Sequence, residues 1–220
     1  MAQKVERTVS TKVPVRPRSE EIASATIQGG AAAASVVGLV YLVTRAEQNA
    51  LAVAAVVIYG ASMVVAFLTS ALYHGVQNAR IKSVFQELDQ CTIFLLIAGT
   101  YTPVALLPLR HHEGEILLAS IWTLAVSGIA LRLMNEPLFQ RVSVALYLAL
   151  GWLCLGWSVP LYRAVGTVPI LLMTTGGLSY TGGLLFFRWH RLPFGNSLWH
   201  LCVVAGGVWF FFAIIDFPQM

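Results

Sequence analysis

Apolar residues in this chain fall in seven long runs separated by short polar connections. The runs are Ile22–Val43, Leu51–His74, Leu88–Leu107, Glu115–Leu133, Val142–Leu161, Val168–Phe187 and Ser197–Phe217. Each is close to the roughly 20 mostly apolar residues that a helix needs to cross a hydrocarbon core. The pattern predicts an all-α integral membrane protein, a bundle of seven transmembrane helices. Residues 22–220 read as one membrane domain, because the connections leave no room for a soluble one. Ahead of it, Met1–Glu21 is polar and basic, carries Pro14 and Pro17, and lacks the apolar core of a signal peptide. It reads as a disordered cytoplasmic tail.

Composition agrees with a lipid solvent. The chain is 57% apolar and 11% charged, against roughly 25% charged in an ordinary soluble domain. Its net charge of +4 is not a nucleic-acid signal, because the basic residues flank apolar runs or lie in the tail. They set orientation instead. Of the 14 Lys and Arg residues, three (Arg45, Arg110 and Arg163) fall in alternate connections, and the remainder share the side of the N-terminus. The positive-inside rule then puts the N-terminus in the cytoplasm and, after seven spans, the C-terminus outside. Helical spans point to an inner or plasma membrane rather than an outer one.

Small residues recur at Gly29-Gly30, Gly176-Gly177, Gly182-Gly183 and Ala205-Gly206-Gly207. They suit close helix approach in lipid, though glycine is also simply common in membrane helices. Cys91, Cys154 and Cys202 show no CxxC spacing and imply no disulfide.

Ionisable residues inside spans are costly and usually functional. Ser70 and His74 end the second run, Glu87 and Asp89 begin the third, and Asn196 and His200 begin the seventh. With alternating helix direction, His74, Asp89 and His200 share one depth near the cytoplasmic face. Residues four apart lie on one helix face, so Ser70 pairs with His74 and Asn196 with His200. Two imidazoles, a carboxylate, a hydroxyl and an amide are the inventory of a hydrolytic zinc site. Singly, each has a plainer reading: an interfacial histidine, or an aspartate favoured by a helix dipole. His111, His112 and His190 read as solvated loop residues, with His190 a fallback ligand.

Three stretches resemble the hemolysin III family, the bacterial branch of the progestin and adipoQ receptor proteins. They are Ser70-x-x-x-His74, the run from Leu88-Asp89 to Ala-Gly-Thr-Tyr-Thr-Pro103, and Leu-Pro-Phe-Gly-Asn196-Ser-Leu-Trp-His200. The similarity covers nearly everything after the tail. It implies seven helices with a cytoplasmic N-terminus and a zinc ion held by the histidine of Ser-x-x-x-His and by a His-x-x-x-His pair in the last span. It also implies that Asp89 holds a metal-bound water, and that Ser70 supports the site from behind. Ceramidases in the wider superfamily suggest hydrolysis of a lipid amide or ester, and bacterial members are tied to membrane-lipid homeostasis. The chain departs from the pattern at Asn196, where the family has the first histidine of the pair, and at Phe210, where a further histidine is common. A neutral amide is a poor zinc ligand, so His74, His200 and Asn196 make a weakened set.

The expected partner is a membrane lipid, with no nucleic acid; a homo-oligomer is compatible with the sequence. The competing expectation is a non-enzymatic, receptor-like protein with a degenerate metal site. A secreted pore-former is disfavoured, because seven apolar spans would not be soluble before insertion. A channel is disfavoured by the scarcity of ionisable groups along the outer half of the spans.

Overall fold

A computed structural model of the chain describes residues 16–46, 49–189 and 191–218. Its helices are α1 (Arg18–Ala46), α2 (Ala50–Gly75), α3 (Ala79–Leu106), α4 (Gly114–Met134), α5 (Glu136–Gly151), α6 (Ser158–Val165), α7 (Thr167–Arg188) and α8 (Gly195–Ile215). A 3-10 turn, Leu153–Trp157, joins α5 to α6. Neighbours in sequence pack side by side, and α1 meets α8 to close the ring. Asn49 and Asn78 start α2 and α3 by accepting two backbone N–H groups each, which satisfies donors that a helix start otherwise leaves orphaned.

Three expectations need adjustment. The first helix begins at Arg18 rather than Ile22, so Arg18–Glu21 form its opening turn instead of the end of a tail; Met1–Val15 lie outside the described residues, as does His190. The fifth run is not one continuous helix. It breaks at Gly151, and Tyr101 of α3 braces the break: its hydroxyl donates to Gly151 O (2.9 Å) and accepts from the Cys154 N–H (3.0 Å). Breaks at membrane depth persist where neighbouring groups take up the freed backbone atoms.

The third adjustment concerns α3. Among the described residues, six helical stretches are long and apolar enough to cross a membrane: α1, α2, α4, α7, α8 and the composite over 137–165. The 28-residue α3 is not among them. Arg80, Lys82, Glu87, Asp89 and Thr92 fall in its first half, and Thr100, Thr102 and Pro103 dilute its second. Nearly all of 91–105 is buried against protein, so this helix does not need the apolar surface that a lipid-facing one requires.

The distribution of polarity is inverted relative to a soluble protein. Val37, Leu133, Leu171 and Leu185 are exposed, while Ser24, Gln28, Ser62, Ser70, His74, Arg132, Asn196 and His200 are buried. Arg132, which its sequence position places at a loop edge, is 3% exposed and donates to Gln90 Oε1 (2.5 Å). Of the small-residue patches, Gly176, Gly183, Gly206 and Gly207 pack tightly: a Cβ at Gly206 would lie 2.6 Å from the Tyr180 ring. Gly29 and Gly30 have nothing within 4 Å of that position.

Candidate functional site

Four helix ends meet at one end of the bundle: the starts of α1, α3 and α8 and the end of α2. In α8, Phe194 stands in the left-handed region (φ 56°) at the N-cap and turns the chain into the helix. Asn196 and His200 follow one turn apart on the face toward α2. His74 closes α2 from the other side.

The two imidazoles face each other directly. His74 Nε2 and His200 Nε2 are 2.9 Å apart, and the residues are 4% and 5% exposed. Asn196 Nδ2 reaches His74 Nε2 (3.4 Å) and donates to Ser24 Oγ (3.2 Å). The far ring nitrogens are held by α1: His74 Nδ1 lies 3.1 Å from Glu21 Oε2, and His200 Nδ1 lies 2.5 Å from Gln28 Nε2. Lys82 of α3 donates to the same Glu21 oxygen (2.6 Å) and to Tyr73 O (3.0 Å). Glu20 accepts the Asn196 backbone N–H (2.9 Å), and Ser24 shares a hydrogen bond with Ser197 (3.0 Å).

Tautomers follow from these partners. A carboxylate only accepts, so His74 carries its proton on Nδ1 and offers a lone pair at Nε2. Two outcomes close the chain at His200. In the first, its Nε2–H donates to His74 and its Nδ1 accepts from the Gln28 amide, which gives an unbroken relay from Gln28 through both rings to Glu21. In the second, the Gln28 amide is turned, its Oε1 accepts the Nδ1–H, and the two Nε2 lone pairs face each other at 2.9 Å, a contact that repels unless a positive charge lies against it. Amide orientation is assigned from such networks. In either arrangement the other Gln28 amide atom is left without a partner; as placed, that atom is Oε1.

The donor set falls short of a zinc centre. Imidazoles oriented by a carboxylate and an amide are what zinc ligands ordinarily have behind them. However, zinc takes three or four ligands from His, Cys, Asp or Glu, and no group of three such residues converges among the described residues. The third position is held by Asn196, whose amide nitrogen already serves Ser24 and His74.

Asp89 and Ser70 stand one step deeper. Ser70 Oγ sits beside the Asp89 carboxylate but completes no hydrogen bond of regular geometry. Both line a cavity of about 130 Å³ that also meets His200 and Gln28. The rest of its wall is mainly apolar or aromatic, including Phe67, Leu96, Ile97, Leu184 and Val203. His111 and His112 are exposed, remote from this cluster in the loop before α4. Cys91, Cys154 and Cys202 are free thiols, and Cys202 packs on Gly183 of α7 rather than on the site.

The α1 contribution is absent from the sequence reading. Glu20, Ser24 and Gln28 recur every four residues and so form a polar stripe on an otherwise apolar helix. That spacing was the available signal, and it was hidden because Glu20 and Glu21 read as tail.

Lipid-facing apolar helices around a buried polar cluster define a multi-pass helical membrane protein. The chain belongs to the haemolysin III family: the family model described as "Haemolysin-III related" matches residues 18–211. That range opens where α1 opens and includes every residue of the cluster. The chain is 39% identical to Hemolysin-3 of Bacillus cereus over 198 residues, covering 89% of this chain and 90% of that one. It is 34% identical to the Hemolysin-3 homolog of Bacillus subtilis (strain 168), over 89% of this chain and 93% of that protein.

Proposed function

We propose that this protein holds a membrane lipid with an acyl chain in the cavity and a carbonyl or head-group oxygen at its polar end, and that it serves membrane-lipid homeostasis. The observation that supports this most is the cavity itself: its wall is mainly apolar or aromatic, and Ser70, Asp89, Gln28 and His200 supply polar groups where it meets the histidine cluster. Sites for small apolar ligands have this composition, with few polar groups fixing orientation. The bundle would span an inner or plasma membrane seven times with its N-terminus in the cytoplasm, α3 being the span that protein rather than lipid surrounds. The one-sided distribution of Lys and Arg supports that direction.

Copurified lipid tests this. Wild-type protein exchanged into detergent should retain about one acyl lipid per chain on extraction and mass spectrometry. Ala66 lines the cavity, and Ala66→Phe should empty it while the protein stays folded by circular dichroism. A wild type without retained lipid, or a variant that keeps it, contradicts the proposal.

A second reading, hydrolysis of a lipid amide or ester, is favoured by Asp89 beside Ser70 at the point where the carbonyl would lie. In that role Asp89 accepts the proton of an attacking water, and the His200–His74–Glu21 chain steadies the neighbouring charge. Zinc would enter only with a third strong ligand; what a metal supplies in such a site is a water of lowered pKa.

A further inference from the structure

Among the described residues, four buried side-chain polar atoms have no hydrogen-bond partner: Gln28 Oε1, Ser70 Oγ, Gln86 Oε1 and Tyr180 OH. Three of these residues, Gln28, Ser70 and Tyr180, line the one cavity. Two belong to the polar end already described. Tyr180 does not.

Its place can be fixed along α8. The Tyr180 ring lies flat over Gly206 and reaches Gly207, where a Cβ would stand 3.8 Å from the hydroxyl oxygen. Gly207 is seven residues beyond His200, roughly 10 Å along the helix axis. The ring also stacks with Phe210 (centroids 6.0 Å apart, planes at 21°). Ring packing therefore explains an aromatic residue here, but phenylalanine would pack as well. A buried hydroxyl without a partner costs free energy, and such groups call for a ligand or water to complete them. Phe67 and Met63 pack against Gly207 beside it, and the neighbouring hydroxyl of Tyr59 donates to Gly207 O (3.3 Å) and leaves Tyr180 unpaired.

We propose that Tyr180 is a second polar contact in the cavity, and that it selects acyl chains bearing a hydroxyl part-way along their length. This rests on the lipid reading above. The lipid's carbonyl end sits at Ser70 and Asp89, its methylene chain runs along the apolar wall, and a mid-chain hydroxyl meets the phenol. A phenol both donates and accepts, so it completes either geometry of that hydroxyl.

The test uses detergent-solubilised full-length protein and two probes, stearate and 10-hydroxystearate, each displacing a fluorescent fatty acid. Wild type should bind the hydroxylated acid roughly five- to tenfold more tightly, the fold-change that one hydrogen bond of ordinary net strength gives. Tyr180→Phe should bring the two affinities within about twofold and leave that for stearate unchanged. Equal wild-type affinities, or a preference that survives in Tyr180→Phe, overturn the subsite and leave the lipid cavity standing. Failure of both acids to bind overturns the cavity reading and the subsite together.

Discussion

The cavity has two walls of different construction. One is α2, with α1 and α8 beside it; 44% of the most apolar window of α2 is buried in the bundle. The other is the composite over 137–165, of which the same measure is 6%. The first wall is tied by polar links that cross between helices: His74 to His200 and Glu21, Asn196 to Ser24 and Glu20, Lys82 to Glu21. The second is broken at residues 151–157, and its polar links to the core are few: Tyr101 of α3 donates to Gly151 O, Tyr147 donates to Gln90 O of α3, and Trp152 donates to Thr181 of α7. Within lipid, apolar surface gives no preference for protein over acyl chains, so polar links and close packing decide which helices stay together. One wall thus fixes chemistry. The other, facing lipid, is the side that can yield to an acyl chain.

The largest expected change comes from completing the first wall for metal. Asn196→His adds a third imidazole next to two whose far nitrogens are already oriented. Zinc content by elemental analysis should rise at least tenfold, from below about 0.1 to near one ion per chain, in line with a three-histidine set. A wild type already carrying one zinc would show that the asparagine amide is not the limiting ligand.

The next effect comes from unlinking that wall. Glu21→Ala removes the acceptor of His74 Nδ1 and the partner of Lys82, both in surroundings only 13–14% exposed for the ion pair. Breaking a partly buried pair from one side costs about 1–3 kcal/mol, below the figure for a fully buried one. Thermal unfolding in detergent should show the loss, and a double variant that also carries Lys82→Met should recover part of it, because the stranded ammonium is then gone. An unchanged melting temperature in Glu21→Ala would mean that α1 merely lies against the cluster.

How much of this was legible beforehand depended on whether a signal was local. The apolar runs are local, and they located α1, α2, α4, α7 and α8 to within a few residues, because lipid imposes length and apolarity on each span separately; α3, which protein surrounds, starts at Ala79, well before its apolar run. His74, Asn196 and His200 were legible as one group, since alternating helix direction fixes their common depth. Position along α1 was not. Glu20 and Glu21 lie next to a proline- and arginine-rich stretch, so they read as solvated, and only the packing of α1 against its neighbours turns them inward, Glu20 toward Asn196 of α8 and Glu21 toward His74 of α2 and Lys82 of α3. The break after Gly151 was equally invisible. Leu153–Trp157 is as apolar as a continuing helix, and what interrupts it is a hydroxyl some fifty residues earlier in the chain, on α3. Asp89 illustrates the remaining gap: its depth was readable, but its lying beside Ser70 rather than between the two histidines depends on side-chain directions that spacing does not specify.

The smallest effect expected is at that break, and it discriminates between the walls most sharply. Tyr101→Phe keeps the ring and removes one oxygen, which leaves the Gly151 carbonyl and the Cys154 N–H without their side-chain partner in a place that water does not easily reach. The cost is about 1–2 kcal/mol by the usual penalty for stranded buried polar groups. It should be local. Hydrogen exchange of residues 151–157 should quicken by roughly tenfold, as about 1.4 kcal/mol of local opening free energy would give, while amides near His74 and His200 keep their protection. If protection fell on both walls together, the bundle would be opening as one unit, and the division into a fixed and a yielding side would be wrong.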